Sequence, residues 1–282
     1  MSPIFNGRTA VLATMHGKEK VIAPILENKL GIKIILPLNF DSDQFGTFTR
    51  DKARTGNQLE AARLKAHAAM KLAGVDIGIA NEGSFGADPS MPFLQSNFEL
   101  VLLIDAKNNF EIRGHHRSPE TNMAGQYVSS VEEALEFAKR IGFSEHAVVV
   151  RKSEKDNSSI HKGIQSEDEL RKQTQKLLGG FLTDKVYIET DMRAHMNPTR
   201  MEKIARATED LLKNIDSTCP NCGMPGFVIV DVKKGLICSL CKSHTDSPAA
   251  YIRKCQKCGT ERIIPREDKQ YEDPALCNWC NP

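Results

Sequence analysis

Short apolar runs alternate with amphipathic stretches along the first 216 residues of this 282-residue chain. The apolar runs have the length of buried strands and lie at 8–14, 32–36, 75–80, 147–151 and 186–189. The amphipathic stretches have helical spacing and lie at 18–28, 57–73, 130–141 and 167–178. Residues 98–113, with a turn at 107–109, predict a hairpin. The whole pattern predicts an α/β fold in which a mixed sheet is flanked by helices.

A cysteine-rich segment follows this pattern. All eight cysteines of the chain lie in it, in four Cys-x-x-Cys pairs: Cys219/Cys222, Cys238/Cys241, Cys255/Cys258 and Cys277/Cys280. Two such pairs supply the four thiolates of one tetrahedral zinc site. We therefore predict two structural Zn²⁺ ions in a small double zinc-ribbon domain at 217–282, after an α/β domain at 1–216. Disulfide pairing is the alternative, which the lack of a recognisable secretory signal disfavours.

The sequence leaves two ways of sharing the cysteine pairs between two ions. Sequential pairing joins the first pair with the second and the third with the fourth, and each set then encloses a loop of ordinary zinc-ribbon length. We favour this arrangement, with a ribbon strand at 227–230. The alternative is interleaved, with the first and third pairs on one ion and the second and fourth on the other.

Charge and compartment narrow the classes of function. The chain carries 38 Lys and Arg against 36 Asp and Glu, so its formal net charge is +2. Four thiolates and one Zn²⁺ leave two negative charges per site, which makes the metal-loaded tail slightly acidic and argues against strong nonspecific binding of nucleic acid. The sequence shows neither a run of about 18 apolar residues nor the features of a signal peptide. We expect a cytoplasmic protein without a membrane partner.

Three polar segments follow predicted strands, where the ligand cleft of an α/β sheet lies. In the first, Thr14 ends a strand and His16 lies in a turn that contains a glycine. Lys18 and Lys20 then stand at the opening of a helix. Free N–H groups at a helix N-terminus favour anions, so this segment suits a phosphate group. A surface turn with solvated lysines is the alternative.

The second segment, Asn81-Glu82-Gly83, follows the predicted strand at 75–80. Mg²⁺ takes one or two protein carboxylates and completes its shell with phosphate and water oxygens. Glu82 is therefore a candidate ligand for Mg²⁺. A loop carboxylate held by backbone N–H groups is the alternative interpretation.

The third segment contains Arg193, His195 and Arg200 around a predicted helix start. Two arginines at such a place suit bidentate binding of a phosphate or a carboxylate. Surface ion pairs with Glu189 and Asp191 are an equally good interpretation.

Three features occur in order along roughly the first 115 residues. A strand ends at Thr14 with His16 and a lysine after it, a helix contains Lys-Ala at 65–66, and a further strand leads into 81–82. This order resembles the inosine/xanthosine triphosphate pyrophosphatase and Maf-type superfamily. In that superfamily a Thr/Ser-x-Asn-x-x-Lys turn holds phosphates, a helix with an Asn-Ala-x-x-Lys-Ala motif lines the cleft, and an acidic strand end binds Mg²⁺.

The sequence departs from the superfamily's motifs at several positions. His16 stands in place of Asn in the turn, and the lysines fall at 18 and 20 instead of 19. Ala61 replaces the Asn of the helix, and the residues at 81–82 replace a pair of Asp residues. The complete architecture also resembles an uncharacterised bacterial family with a C-terminal double zinc ribbon, which implies no function.

The superfamily resemblance implies Mg²⁺-dependent hydrolysis of a nucleoside triphosphate or a related phosphate-containing substrate. Glu82 would bind Mg²⁺, and His16 would position the water or a phosphate oxygen. Lys18, Lys20 and Lys65 would neutralise the triphosphate while water attacks the α-phosphorus and releases pyrophosphate. The candidates for further substrate contacts are Thr14, Asn81, Gly83, Arg193, His195 and Arg200.

The competing hypothesis is a non-catalytic protein that binds a nucleotide or nucleic acid. Its zinc ribbons would contact RNA, DNA or a protein, with Trp279 and Tyr271 as stacking surfaces. The local basic face would consist of Lys254, Lys257, Arg262 and Arg266. A tail that only stabilises the fold or joins two copies of the chain is a further alternative. A homo-oligomer is compatible with each of these hypotheses.

Overall fold

The computed structural model describes residues 4–40, 57–89, 91–180 and 184–282. Its helices are α1 (Glu19–Leu30), α2 (Gln58–Ala73), α3 (Val131–Arg140), α4 (Glu167–Leu178) and α5 (Pro198–Asp216). Its strands are β1 (Thr9–Ala13), β2 (Lys33–Ile35), β3 (Ile77–Ala87), β4 (Gln95–Asp105), β5 (Phe110–Ser118), β6 (Gly125–Val128), β7 (Val148–Arg151), β8 (His161–Ile164), β9 (Val186–Thr190), β10 (Val228–Lys234), β11 (Pro248–Lys254) and β12 (Glu261–Pro265). The predicted α/β fold class is confirmed. Within the described ranges, no helix is long and apolar enough to cross a membrane.

Helices cover both faces of a five-stranded mixed sheet with the order β2-β1-β3-β4-β5. β1 runs parallel to β2 and β3, whereas β4 and β5 are antiparallel to their neighbours. Successive side chains of a strand point to opposite faces. Leu12 of β1 accordingly shares an apolar cluster with Ile22 of α1 and Ile204 of α5. Val11 shares another cluster with Ala66 of α2 on the opposite face, so the sheet is the middle of three layers.

Capping residues set the starts of two helices near the candidate site. The side chain of Asn57 accepts the N–H of Glu60, and the Glu60 carboxylate accepts the N–H of Asn57, which makes a capping box at α2. Asn197 accepts the N–H of Arg200 at 3.0 Å, and Pro198 takes the first position of α5. This cap lies at the predicted helix start and places Arg200 in the first turn of α5.

A glycine lets α5 lie directly against β5. A Cβ atom on Gly114 would overlap the backbone nitrogen of Leu211 and the carbonyl oxygen of Ala207. Farther along α5, the Asn214 side chain donates to the carbonyl oxygen of Arg113 at 2.8 Å. This close packing fixes the start of α5 over the sheet.

A separate apolar core lies under a four-stranded antiparallel sheet with the order β6-β9-β7-β8. Phe137 of α3 and Leu170 of α4 pack there with Val150 and Ile188. The sequence pattern predicts α3, α4, β7 and β9 but neither β6 nor β8. Alternation of strands and helices also leaves the strand order open. The division of the first 216 residues into two sheets is therefore visible only in the structure.

β3 is longer than the sequence pattern predicts. The apolar run ends at Ala80, but all eleven residues of Ile77–Ala87 pair with β4 in one unbroken register. A strand ladder is made by backbone groups, so polar side chains do not end it. Asn81, Glu82 and Gly83 therefore lie inside β3, and the expectation that they directly follow a strand was wrong.

The cysteine-rich segment forms a three-stranded antiparallel sheet with the order β10-β11-β12. One end of it packs against the α/β part, where Met224 and Phe227 share an apolar cluster with Ile112 of β5. Beside them, Gln256 accepts the N–H of Glu111 at 3.1 Å and donates to its carbonyl oxygen at 2.7 Å. The segments on either side of the predicted boundary at 216/217 thus share one core.

Candidate functional site

Five charged side chains are buried together where the β1–α1 connection, α2, β3, β4 and the start of α5 meet. We call them the buried charge cluster, and its members are Lys18, Lys65, Glu82, Glu99 and Arg200. None of them is more than 7% exposed. A buried charge is costly unless it is paired, so the partners of each member decide what the cluster can do.

The two lysines of the cluster have different partners. Lys65 Nζ lies 2.5 Å from Glu82 Oε1, and both side chains are buried. Lys18 Nζ instead donates to the backbone carbonyl of Asn81 at 3.1 Å. Among the described carboxylates, none forms an ion pair with Lys18. A carbonyl is neutral, so the charge of Lys18 is not cancelled by its partner.

Glu99 is held by a set of donors and is fully buried. Arg200 Nε donates to its Oε1 at 2.8 Å, and the amides of Asn81 and Asn97 donate to its two oxygens at 3.1 Å each. Burial alone would raise the pKa of Glu99, but the charge and hydrogen bond of Arg200 hold it below the usual range. Gly83 makes room for this pair, because a Cβ there would overlap Glu99 and lie 2.6 Å from Arg200 Nη2.

Counted over the described residues, the buried charge cluster contains three cations and two carboxylates. Burial is the main reason that the pKa of Lys18 falls to about 7, and the charge of Arg200 adds to this effect. The charge of Lys65 also lowers that pKa, whereas Glu82 and Glu99 oppose the shift. The Lys18 ammonium is thus the member of the cluster that an incoming anion would stabilise most.

Two histidines lie face to face near Lys18. The rings of His16 and His195 are 5.3 Å apart between centroids, and their planes differ by 3°. Gly17 permits this approach, since a Cβ there would lie 3.2 Å from the Cβ of His195. Burial lowers the pKa of His195, and the charges of Arg193 and His16 lower it further. The neutral imidazole of His195 therefore predominates at pH 7.

Three other predicted site residues have different surroundings. Arg193 forms an ion pair with Asp191, in which Nη2 lies 2.6 Å from Oδ2. An ion pair with Asp191 is the alternative to phosphate binding that the sequence offers for this segment. Lys20 is exposed on α1. Thr14 is buried at the end of β1, and its Oγ1 accepts a backbone N–H two residues later at 3.3 Å. The structure brings Arg200, and not Arg193, into the buried charge cluster.

Sequence reasoning does not single out Glu99 or Asn97. Both lie in β4, two positions apart, and residues at that spacing share one face of a strand. Polar residues on the covered face of an otherwise apolar strand need partners. This spacing is the signal from which the two residues could be found.

The cysteines form two clusters of four. The proximal cluster is Cys219, Cys222, Cys255 and Cys258, and the distal cluster is Cys238, Cys241, Cys277 and Cys280. Within each cluster the Sγ atoms all lie within 4.8 Å of one another, and the closest contacts between knuckles are 3.6–3.8 Å. Sulfurs about 2.3 Å from a tetrahedral Zn²⁺ would be about 3.8 Å apart, so both clusters fit this ion. Such separations are too long for a disulfide bond of about 2.05 Å.

The grouping of the cysteines is interleaved, so the favoured sequential pairing was wrong. β10 carries the chain away from the first knuckle, over seven residues at about 3.3 Å each. Antiparallel β11 returns it, and Lys254 pairs with Val228 so that the third knuckle lies beside the first. β12 then runs back, with Pro265 opposite Ala250, and leads to the fourth knuckle beside the second. Sheet geometry thus brings alternate knuckles together.

Two comparisons with known proteins bear on these sites. A sequence model of the family described as Domain of unknown function (DUF6671) matches residues 65–282, which is more than half of the chain. The matched range includes β3, β4, α5 and both cysteine clusters. A search of curated proteins gives no match.

Proposed function

We propose that this chain, which belongs to the DUF6671 family, binds a nucleoside triphosphate or a related phosphate-containing molecule at the buried charge cluster and hydrolyses it. One observation carries the proposal: among the described residues, three buried cations face two buried carboxylates. A bound phosphate would complete the charge balance and accept hydrogen bonds from the ammonium groups. The cluster also lies at the carboxyl end of β1 and at the start of α1, where anions are favoured.

A resident Mg²⁺ ion at Glu82 does not fit the cluster. Glu82 Oε1 lies 2.5 Å from the ammonium of Lys65, which occupies the position of a cation at that oxygen. Glu99, the other carboxylate of the cluster, is held by Arg200. Mg²⁺ requires several oxygen ligands in near-octahedral geometry. In the proposed reaction Mg²⁺ therefore enters only with the substrate, as the magnesium complex of the nucleotide.

The proposed reaction starts with an exchange of ion-pair partners. Substrate phosphates attract Lys65 and release the Glu82 carboxylate, which accepts a proton from the attacking water as a general base. The water oxygen bonds to the α-phosphorus, and the bond from that phosphorus to the bridging oxygen breaks. Pyrophosphate leaves while Lys18 and Lys65 neutralise its charge. His16, two residues before Lys18, positions a phosphate oxygen.

Each cysteine cluster, in our proposal, holds a structural Zn²⁺ ion. The interknuckle sulfur distances of 3.6–3.8 Å support this assignment. β10 and β12 are largely exposed, so this small sheet has little apolar core and depends on cross-links for its stability. Metal analysis of the purified chain should find two zinc ions per chain.

Pyrophosphate release from a panel of ordinary and deaminated nucleoside triphosphates with Mg²⁺ tests the proposed reaction. The wild-type chain should release pyrophosphate, and Glu82→Gln should reduce the rate by about 100-fold or more because the general base is lost. The same variant should bind nucleotide at least as well, since an internal anion is removed. Lys18→Met should lose both binding and release.

Lys29→Met is the matched control for Lys18→Met, because Lys29 lies exposed in the last turn of α1. It should turn over at the wild-type rate. Binding by the wild-type chain without any release would support the non-catalytic alternative. If the wild-type chain neither binds a nucleotide nor releases pyrophosphate, the proposal as a whole is contradicted.

A further inference from the structure

β10 is an open edge of the three-stranded sheet. Among the described residues it pairs only with β11, and every residue after Val228 is exposed. Three of these are apolar: Ile229 is 46% exposed, Val230 52% and Val232 36%. An edge strand with unpaired backbone groups and apolar side chains is a template for pairing with another strand.

The backbone of Val232 points to this open edge. Its N–H donates to Oδ1 of the adjacent Asp231 at 2.8 Å, an acceptor that does not belong to β11. In an antiparallel ladder, the N–H and C=O of one residue point to the same side of the strand. Val232 therefore offers one donor and one acceptor to a strand that approaches from outside.

The charges of β10 are complementary to those of a second β10. If two copies pair antiparallel about a two-fold axis at Val232, Asp231 of each copy lies opposite Lys233 of the other. Directly opposed side chains in such a ladder are about 4.5–5.5 Å apart at Cβ, which suits an ion pair. The two-fold axis makes this pair occur twice.

We propose that two copies of this chain associate by antiparallel pairing of β10, which joins their ribbons into one six-stranded sheet. Val232 of each copy donates its N–H to the carbonyl of Val232 of the second copy. Asp231 leaves the N–H of Val232 and pairs with Lys233 of the second copy. The interface is isologous, as a two-fold axis requires.

The arrangement also separates the bulky parts of the two copies. The proximal cluster and the α/β part adjoin the start of β10, near Val228. Antiparallel pairing places this end of one copy beside the distal end of the other. The two α/β parts then lie at opposite ends of the joint sheet.

The other edge of the sheet is less suited to this role. β12 has five residues and ends in Pro265, which has no N–H to donate. Glu261 already pairs with Lys254 of the same sheet at 2.7 Å. β10 is therefore the edge to which we assign the second copy.

Analytical ultracentrifugation of the zinc-loaded full chain tests the proposal. The wild-type chain should sediment as a species of about twice the 31.3 kDa chain mass. Asp231→Lys and Lys233→Asp should each raise the dimer dissociation constant about tenfold or more, since both symmetric pairs become repulsive. The double variant D231K/K233D restores opposite charges and should dimerise like the wild type.

Charge-matched controls are Glu267→Lys and Lys155→Asp, both at exposed positions outside β10, and they should leave dimerisation unchanged. Val232→Pro removes the central N–H while the open-edge position tolerates proline, so this variant should be a folded monomer. A zinc content of two per chain verifies folding of each variant. A wild-type monomer over a wide concentration range would overturn the proposal, as would a dimer that the single reversals do not weaken.

Discussion

At the scale of single residues, the buried charge cluster requires room for its side chains as well as opposite charges. Glu99 accepts hydrogen bonds from Arg200, Asn81 and Asn97, and these donors keep it ionised in spite of full burial. The pair of Glu99 and Arg200 lies against the backbone of β3 at Gly83. A single methyl group at that position would occupy the space of the ion pair.

Gly83→Ala should therefore destabilise the fold by about 1–3 kcal/mol, the usual cost of forcing extra volume into a packed interior. Gly86→Ala is the matched control in the same strand, because a Cβ at Gly86 meets no described atom within 4 Å. Urea unfolding followed by circular dichroism measures both variants. Equal effects of the two substitutions would show that the ion pair does not fill this space.

At the scale of elements, the strands of the ribbon decide which cysteines meet. The strands β10, β11 and β12 connect successive knuckles, and consecutive strands run in opposite directions. The first and third knuckles consequently share one end of the sheet, and the second and fourth share the other. Loop length between knuckles, on which the sequential prediction rested, says nothing about these directions.

Loss of the distal cluster distinguishes the two pairings. In Cys277→Ser/Cys280→Ser, the interleaved arrangement predicts one zinc ion per chain and free thiols at Cys238 and Cys241. Labelling of native protein with iodoacetamide, followed by peptide mass spectrometry, should modify these two cysteines and spare the proximal cluster. Labelling of Cys255 and Cys258 in their place would indicate sequential pairing.

Local signals in the sequence predict elements well and their partners poorly. Asn57 and Asn197 mark helix starts through capping chemistry that involves only neighbouring residues, and the predicted helix at 167–178 coincides with α4. The extension of β3 through Glu82 depends on β4, which lies farther along the chain. The pairing of Glu99 with Arg200 joins residues about 100 positions apart, so no local pattern contains it.

At the scale of the whole molecule, the two cysteine clusters have different relations to the α/β part. Cys219 and Cys255 of the proximal cluster are 2% exposed and share an apolar cluster with Ile112 and Ile215. The distal knuckles instead carry exposed apolar side chains, including Trp279, which is 77% exposed. The proximal cluster therefore cross-links both parts of the molecule, whereas the distal one stabilises only the far end of the ribbon.

At the same scale, the burial and the charges around Lys18 should make the affinity of the proposed site for an anion depend on pH. The pKa of Lys18 is about 7 in the free protein, so its ammonium predominates below that pH and is lost above it. A bound anion favours the charged form, and the affinity for an anion should fall as the pH rises from 7. Pyrophosphate gains negative charge over the same range, which would strengthen binding to a fixed cation. A decrease in affinity that is absent from Lys18→Met would therefore identify Lys18 as the group that titrates.

Calorimetric titration of the zinc-loaded full chain with pyrophosphate at pH 6 and pH 9 is the most direct test of the proposed anion site. We expect binding at pH 6 that weakens about tenfold or more at pH 9, and the same behaviour in Lys29→Met. Lys18→Met should bind weakly at both pH values. Binding by Lys18→Met that equals the wild type, with the same pH dependence, would contradict anion binding by Lys18 at the buried charge cluster.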